Sequence, residues 1–264
     1  MQFLAIELDV NEKLCLRNPQ RTDLGRKILK NSVLLIDEIG FERFTFKKLA
    51  ERIQSTEASI YRYFESKYLL LLYLVNWYWE WMKFCIDLRI MNIQEPSERL
   101  RLMINTVVDS TKRNATVDFI DEDVLHRIVV AEGSKAYHNK EVDAQNREGF
   151  FLSYKSLSKK IADVIVEIDP SFPYPRALAS NLLEMANNHI YFAEHLPRLT
   201  DIDNNEDVLK QVDELLQFFA FRLLAIEKPK GATAEAKTQR NSPQPVILNN
   251  HHNHSSNNHS TSIA

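Results

Sequence analysis

A chain of 264 residues with a 44% apolar fraction can bury a sizeable core, and with a polar tail set aside it suits one small domain and one larger one. Only five glycines and nine prolines, in a chain rich in Leu, Ile, Lys and Glu, favour helix over sheet and predict an all-α fold. A net charge of −3 excludes nucleic-acid binding through the overall field, so any contact with phosphate has to come from a local basic patch.

Residues 1–20 form an N-terminal extension in which Ile6, Leu8, Val10, Leu14 and Leu16 alternate loosely with polar residues around Asn11 and Glu12, as in a short strand or hairpin. Despite Arg17 and Arg21 the extension is too weakly basic for a minor-groove arm, and a packing role is expected. Met1 to Arg17 lacks the basic start and long apolar run of a secretion signal, and Cys15 and Cys85 have no paired-thiol spacing, so a cytoplasmic chain is expected.

From Thr22 or Asp23, both plausible caps, Leu24, Ile28, Leu35, Ile36 and Ile39 recur at helical intervals until Gly40, which can close a helix in the left-handed conformation. The outward Arg26, Lys27 and Lys30 read first as a solvated face and second as phosphate contacts.

The stretch from Thr45 to Lys67 reads as two short helices joined by a tight turn. Thr45 caps the first, Phe46 to Ile53, whose Leu49, Ala50 and Ile53 share an apolar face. Gln54 and Ser55 break the pattern, Thr56 caps again, and Ala58, Ile60, Tyr61 and Phe64 form a packed stripe under the second helix. This is a helix-turn-helix, with the second helix expected in the DNA major groove. Arg43, Lys47, Lys48, Arg52, Arg62 and Lys67 outnumber Glu51, Glu57 and Glu65 there. Arg62 can pair with guanine and Glu57 can accept from cytosine, which makes Glu57, Ser59 and Arg62 the base-edge candidates. Thr45, Lys47, Lys48, Thr56, Tyr61, Tyr63 and Lys67 are the candidates for fixing register on phosphates. Phe64 is expected in the core, and Tyr61 is evenly balanced between core and interface.

From Leu24 to Leu70 the sequence resembles the N-terminal domain of the tetracycline-repressor (TetR/AcrR) family of bacterial transcriptional regulators. Ile28, Leu29, Leu35, Gly40, Phe41, Thr45, Leu49, Ala50 and Thr56 match the pattern, and the run Tyr61 to Lys67 is its most specific part. Departures are Gln54 for the usual turn glycine, Ser55 for an aliphatic residue, Ala58 for a frequent glycine, and the acidic Glu57. The resemblance implies a ligand-responsive repressor acting as a dimer on a palindromic double-stranded operator, with a helical second domain for ligand and partner. A three-helix head over residues 21–66 and a helical body over 67–228 are expected.

After Ser66, a further cap, the apolar content rises through Leu69, Leu70, Leu72, Val75, Trp77, Trp81, Phe84 and Ile86 in one long helix. Asn76, Glu80 and Lys83 interrupt it and it is short for a bilayer, so a buried bundle helix rather than a membrane span is expected. Pro96 marks a boundary, and Ser97 is expected to cap a helix carrying Leu100, Leu102, Met103, Ile104, Val107 and Val108. Asn114 to Val117 reads as a loop, Asp118 to about His138 as one helix, Glu141 to Ile168 as one long helix, and Asp169 to Pro175 as a break.

Two coiled-coil-like seams end the body: Leu178, Leu182, Met185, His189, Phe192 and Leu196, then Leu209, Val212, Leu216, Phe219, Leu223 and Ile226. Some of these must be intramolecular core. The resemblance implies that the two helices pair with their copies in a homodimer. It implies too a cavity for an apolar or amphipathic effector, and Trp81, Phe84, Met103, Phe119, His126, Phe150, Tyr154 and His189 are suited to line one, although each is more often core.

Residues 229–264 turn to Pro, Thr, Ala, Gln, Asn, Ser and His, too polar to repay ordering, and read as a disordered tail. His251, His252, His254 and His259 fit such a tract better than a metal site. There is no phosphate-cradling glycine loop, no Cys/His ligand quartet and no glycine-flanked nucleophilic serine, so no enzyme, metal or cofactor is expected. Asp121 with Glu122, or Glu132 near His126, are pairs that any charged helix provides. The alternative to a DNA-binding regulator is a helical dimeric interaction module with a degenerate head, motivated by Glu57 and the missing turn glycine. A helical enzyme is a third reading.

Overall fold

The structure is a computed structural model, described here for residues 7–109 and 119–225. The readings of Asn114 to Val117, Ile226, the tail and its histidines lie outside the described residues.

The described residues are all-helical. Helix α1, Asp23–Ile39, starts where Thr22 Oγ1 accepts from Gly25 N at 3.0 Å, and ends at Gly40 with φ 75°. Helix α2, Phe46–Ile53, is capped by Thr45, and α3, Glu57–Tyr61, by Thr56, each hydroxyl accepting from the N–H three residues on. Between them Gln54 takes the left-handed conformation, φ 53° and ψ 52°, and Ser55 N donates to Ala50 O at 2.9 Å, so the tight turn forms without glycine. Leu49, Ile53, Ile60 and Phe64 are wholly or almost wholly buried and knit the three helices together.

The extension forms no strand among its described residues. It makes two short 3-10 turns, Glu12–Leu14 and Pro19–Arg21, and buries Leu8, Val10 and Leu14. The side chain of Gln20 substitutes for a strand partner: its amide donates to Leu8 O at 2.8 Å, and its Oε1 accepts from Leu8 N at 3.1 Å and from Trp77 Nε1 at 3.2 Å. Gly25 makes room for this turn, since a Cβ there would lie 2.3 Å from Pro19 O.

Helix α4, Lys67–Ile90, is capped by Ser66 and leaves the head; its 24 residues span about 36 Å at the usual rise. From Leu70 to Trp79 every side chain is buried, so the apolar run is an enclosed bundle helix. No helix among the described residues is long and apolar enough to cross a membrane.

Around α4 pack α5, Pro96–Asp109; α6, Glu122–Glu132; α7, Ser134–Tyr137; α8, Val142–Arg147; α9, Leu152–Ile168; α10, Pro175–His195; and α11, Val208–Ala225. Three expectations change here. Glu95, not Ser97, caps α5, accepting from the N–H groups of Ser97 and Glu98, which hold its carboxyl below the usual carboxylate range. The helix expected over Asp118 to His138 is divided at Gly133 into α6 and α7, with Asp121 as its first cap. The one expected over Glu141 to Ile168 is divided at Gly149, whose φ of 80° turns the chain between α8 and α9.

Candidate DNA-binding face and ligand cleft

On the outer side of the head, local capping chemistry sets the geometry. Thr56 Oγ1 lies 2.9 Å from Ser59 Oγ, and Arg62 Nη2 donates to Ser59 Oγ at 3.1 Å, which lays a polar line along α3. Glu57 and Arg62 are exposed and Ser59 is half-buried. Thr45, Lys47 and Lys48 are exposed at the start of α2, with Lys48 Nζ donating to Arg43 O at 2.9 Å. Tyr61 is 48% exposed, and its ring packs edge-on against Phe46 at 5.0 Å, so one side chain serves core and surface.

Tyr63 and Lys67, expected on phosphates, are engaged elsewhere. Tyr63 is buried, its hydroxyl 2.7 Å from Thr22 Oγ1 and its ring under the Arg17 guanidinium at 5.5 Å. Lys67 Nζ donates to the carbonyls of Phe41 and Glu42 at 3.0 Å and of Phe44 at 3.1 Å, using all of its donors to tie the loop after α1 to the start of α4. Arg52, counted in the basic patch, forms a bidentate pair with Glu38 at 2.6 and 2.8 Å, which braces α2 against α1. Arg43, Lys47, Lys48 and Arg62 are left as the exposed cations of that patch without an ion-pair partner among the described residues.

Among the described residues the eight expected pocket residues do not line one common cavity. Trp77 stacks on Trp81 at 5.9 Å and Trp81 on Phe84 at 5.8 Å, with Phe119 edge-on to Trp77, so this part of the interior is filled. Phe150 and His189 are partly buried, the latter with Nδ1 2.9 Å from Thr200 Oγ1. Met103 borders a hollow of about 350 Å³ with Lys159 and Glu167, and His126 borders another of about 310 Å³ with Ile36 and Tyr191. Tyr154 lines a cleft of about 680 Å³ between α4, α6, α7, α9 and α10. Its other walls, Trp79, Tyr137, Phe151, Glu184 and Asn187, were missed by the sequence reading. The signal available was three tryptophans at alternate positions of α4: Trp77 and Trp81 share one face, and Trp79 must point to another.

Buried His126 has Nδ1 2.9 Å from Tyr78 Oη, and burial, with a smaller effect of the Arg127 charge, pushes its pKa down to about 4. On the outer side of α6 and α7 the body grips the head. Arg127 pairs with Asp37, Glu132 Oε1 accepts from Phe41 N at 3.1 Å, and Lys135 Nζ reaches Glu42 at 2.6 Å.

In the two seams, Leu178, Leu182, Val212 and Leu216 are buried against the body, and Met185, His189, Phe192 and Leu209 are partly so. Phe219 and Leu223 are exposed, and so is Phe218, which the seam pattern did not include.

Residues 28–74 match the sequence model of the bacterial regulatory proteins of the tetR family. No curated protein matches the chain in sequence. Among solved structures, AibR in complex with isovaleryl coenzyme A and operator DNA superposes with a TM-score of 0.53 at 17% identity, covering 74% of this chain and 97% of that one. The fatty acid degradation regulator FadR from Bacillus halodurans gives 0.54 at 15% identity over 76% and 98% of the two chains. A regulatory protein of the tetR family from Rhodococcus gives 0.57 at 12% identity over 78% and 100%. These likenesses are of fold: a helix-turn-helix head on a helical body. The match over residues 28–74, which takes in most of the head and the start of α4, identifies a DNA-binding domain of the tetR type there, set on a helical body of the same fold as these structures.

Proposed function

We propose that the chain is a ligand-responsive repressor that binds a palindromic operator as a homodimer. The observation that carries this reading is that α6 and α7 belong to two sites at once. Val129, Val130 and Tyr137 line the cleft, while Arg127, Glu132 and Lys135 hold the head. A ligand that favours one setting of these helices biases the orientation of α1 to α3, and DNA affinity follows if the ligand prefers the setting that DNA disfavours. That AibR is solved with both isovaleryl coenzyme A and operator DNA supports a fold able to hold both.

In this reading Glu57, Ser59 and Arg62 meet base edges, and Thr45, Lys47, Lys48, Thr56 and Tyr61 meet phosphates. The homodimer uses the outer faces of α10 and α11, where exposed Phe218, Phe219 and Leu223 support an apolar contact. The direct test is binding to DNA from upstream of the chain's own coding region, titrated over salt, with a scrambled duplex as control. Selective, saturable binding that weakens steeply with salt is expected. Equal, weak binding to both duplexes, repeated after selection from random sequence, would sink the reading.

Exposed Glu57, which has no ion-pair partner among the described residues, favours a second reading in which the head binds protein instead of DNA. Replacing Lys47 by Glu separates the two: a DNA binder loses affinity across all sequences, while an interaction module keeps its partner.

A further inference from the structure

We propose that the ligand of the 680 Å³ cleft is an organic cation, an ammonium compound with an apolar body, held by aromatic ring faces and the Glu184 carboxylate. The proposal rests on reading this cleft as the effector site, and extends that reading to the chemical class of the effector.

Four aromatic side chains form one contiguous wall. Tyr154 lies 4.8 Å from Trp79 and 5.6 Å from Tyr137, and Tyr137 lies 5.4 Å from Phe151, between ring centroids. The polar edges of this wall are already satisfied. Trp79 Nε1 donates to Tyr137 Oη at 2.8 Å, and Tyr154 Oη donates to Glu184 Oε1 at 2.8 Å. What remains for a ligand is the ring surface of half-buried Tyr137 and Tyr154, backed by buried Trp79 and Phe151, and the negative quadrupole of such a surface attracts cations.

Two further groups point to the same class. Glu184 is exposed at the cleft and has no Lys or Arg within ion-pair distance among the described residues, so its charge is uncompensated there. Asn187 is 8% exposed and lines the cleft, yet its amide makes no hydrogen bond among the described residues. Buried amides are normally paired, so Asn187 offers unused capacity for a hydroxyl, carbonyl or N–H on the ligand. Burial and the Glu184 charge raise the Tyr154 pKa, keeping the phenol a donor to that carboxylate. An anionic ligand would meet Glu184 and find only Lys155 among the lysines and arginines of the lining, with its ammonium already on Asn146 Oδ1.

The test compares 4-hydroxyphenyltrimethylammonium with 4-tert-butylphenol, which has the same shape but carbon in place of the charged nitrogen. Binding is read by calorimetry and by tryptophan fluorescence on the full chain. The ammonium compound is expected to bind about tenfold tighter, a difference of the size a desolvated cation–π site provides. Glu184→Gln, at an exposed position, should cancel most of that preference and leave 4-tert-butylphenol unaffected. Tyr154→Phe keeps the ring and should keep most of the affinity, whereas Tyr154→Ala should lose it. Lys155→Gln should tighten the cation. Equal binding of the two compounds, or a cation affinity indifferent to Glu184→Gln, overturns the proposal. Glu184-dependent cation binding that leaves operator affinity unchanged would uphold the cation site and remove its role as effector site.

Discussion

Arg127 of α6 and Asp37 of α1 meet through two hydrogen bonds, Nε to Oδ1 at 3.1 Å and Nη2 to Oδ2 at 3.0 Å, and the same guanidinium reaches Asp123 at 2.9 Å. One planar group thereby joins the body to the brace helix of the head. The pair is partly exposed, with side chains 48% and 31% accessible, so its stabilising effect is small. A double-mutant cycle with Asp37→Ala and Arg127→Ala is expected to give a coupling of about 0.5–1 kcal/mol in urea unfolding. Its larger consequence is for communication. Asp37→Asn should leave ligand and DNA binding in place, each measured alone, and reduce the change in DNA affinity that ligand causes; an undiminished change would contradict the latch.

Lys47 and Lys67 are alike in sequence terms and differ in the structure. Lys47→Ala should change stability by less than about 0.5 kcal/mol and lower the slope of log affinity against log salt by about one. Lys67→Met removes three hydrogen bonds from one charged donor and should cost about 2 kcal/mol of stability. Its salt slope should stay as it was. Salt titrations of both variants, with urea midpoints, check the assignment.

Gln54 occupies the left-handed region at φ 53°, a conformation that costs a residue with a Cβ about 1 kcal/mol. Gln54→Gly relieves this and gives back part of it through the freer unfolded chain, for a net gain of roughly 0.5 kcal/mol. Gln54→Val should lose more than about 1 kcal/mol, because a β-branched side chain tolerates positive φ worst. Chemical denaturation of the three proteins orders them Gly, Gln, Val, or disproves the account.

His126 is neutral in the folded chain, with its pKa pushed down to about 4 from an ordinary 6.5, so between those values the unfolded chain binds a proton that the folded one does not. Its contribution is therefore complete above pH 6.5 and is lost as pH falls towards 4. The loss across that window is about 3 kcal/mol at 1.36 kcal/mol per unit. His126→Gln should flatten the corresponding slope of stability against pH.

Phe218 and Leu223 are 63% and 45% exposed, whereas Leu216 on the same helix is 1% exposed. Phe218→Glu with Leu223→Glu should give a folded monomer by light scattering if α11 makes the dimer. Leu216→Ala should instead cost about 2–4 kcal/mol of stability through a cavity.

Thr45, Thr56 and Ser66 marked their helix starts in the sequence because a cap acts within three residues of itself, whereas Thr22 and Asp23 stood level until the structure gave the cap to Thr22. The break at Asp169 to Pro175 and the single long helix after Ser66 were legible for the same local reason. Glu95 takes the cap in place of Ser97 because Pro96 opens α5 as its first helical residue, which leaves position 95 flanking the helix and puts Ser97 inside its first turn. The division at Gly133 was passed over because that residue keeps helical backbone, φ −61° and ψ −31°, and the one at Gly149 because a single positive-φ residue leaves the apolar spacing on either side in place.

By itself the sequence determined an all-helical chain with a helix-turn-helix near its start, since helix periodicity, caps and the run from Tyr61 to Lys67 are encoded over a few residues. Only the tertiary structure decided that Tyr63 and Lys67 hold the head together, that Trp81 and Phe119 fill space which Trp79 and Tyr154 leave open, and that α6 and α7 join cleft to head. Periodicity tells which side of a helix is apolar. Whether two apolar sides close on each other or leave a void, and whether a lysine finds carbonyls or solvent, depends on residues distant in the chain.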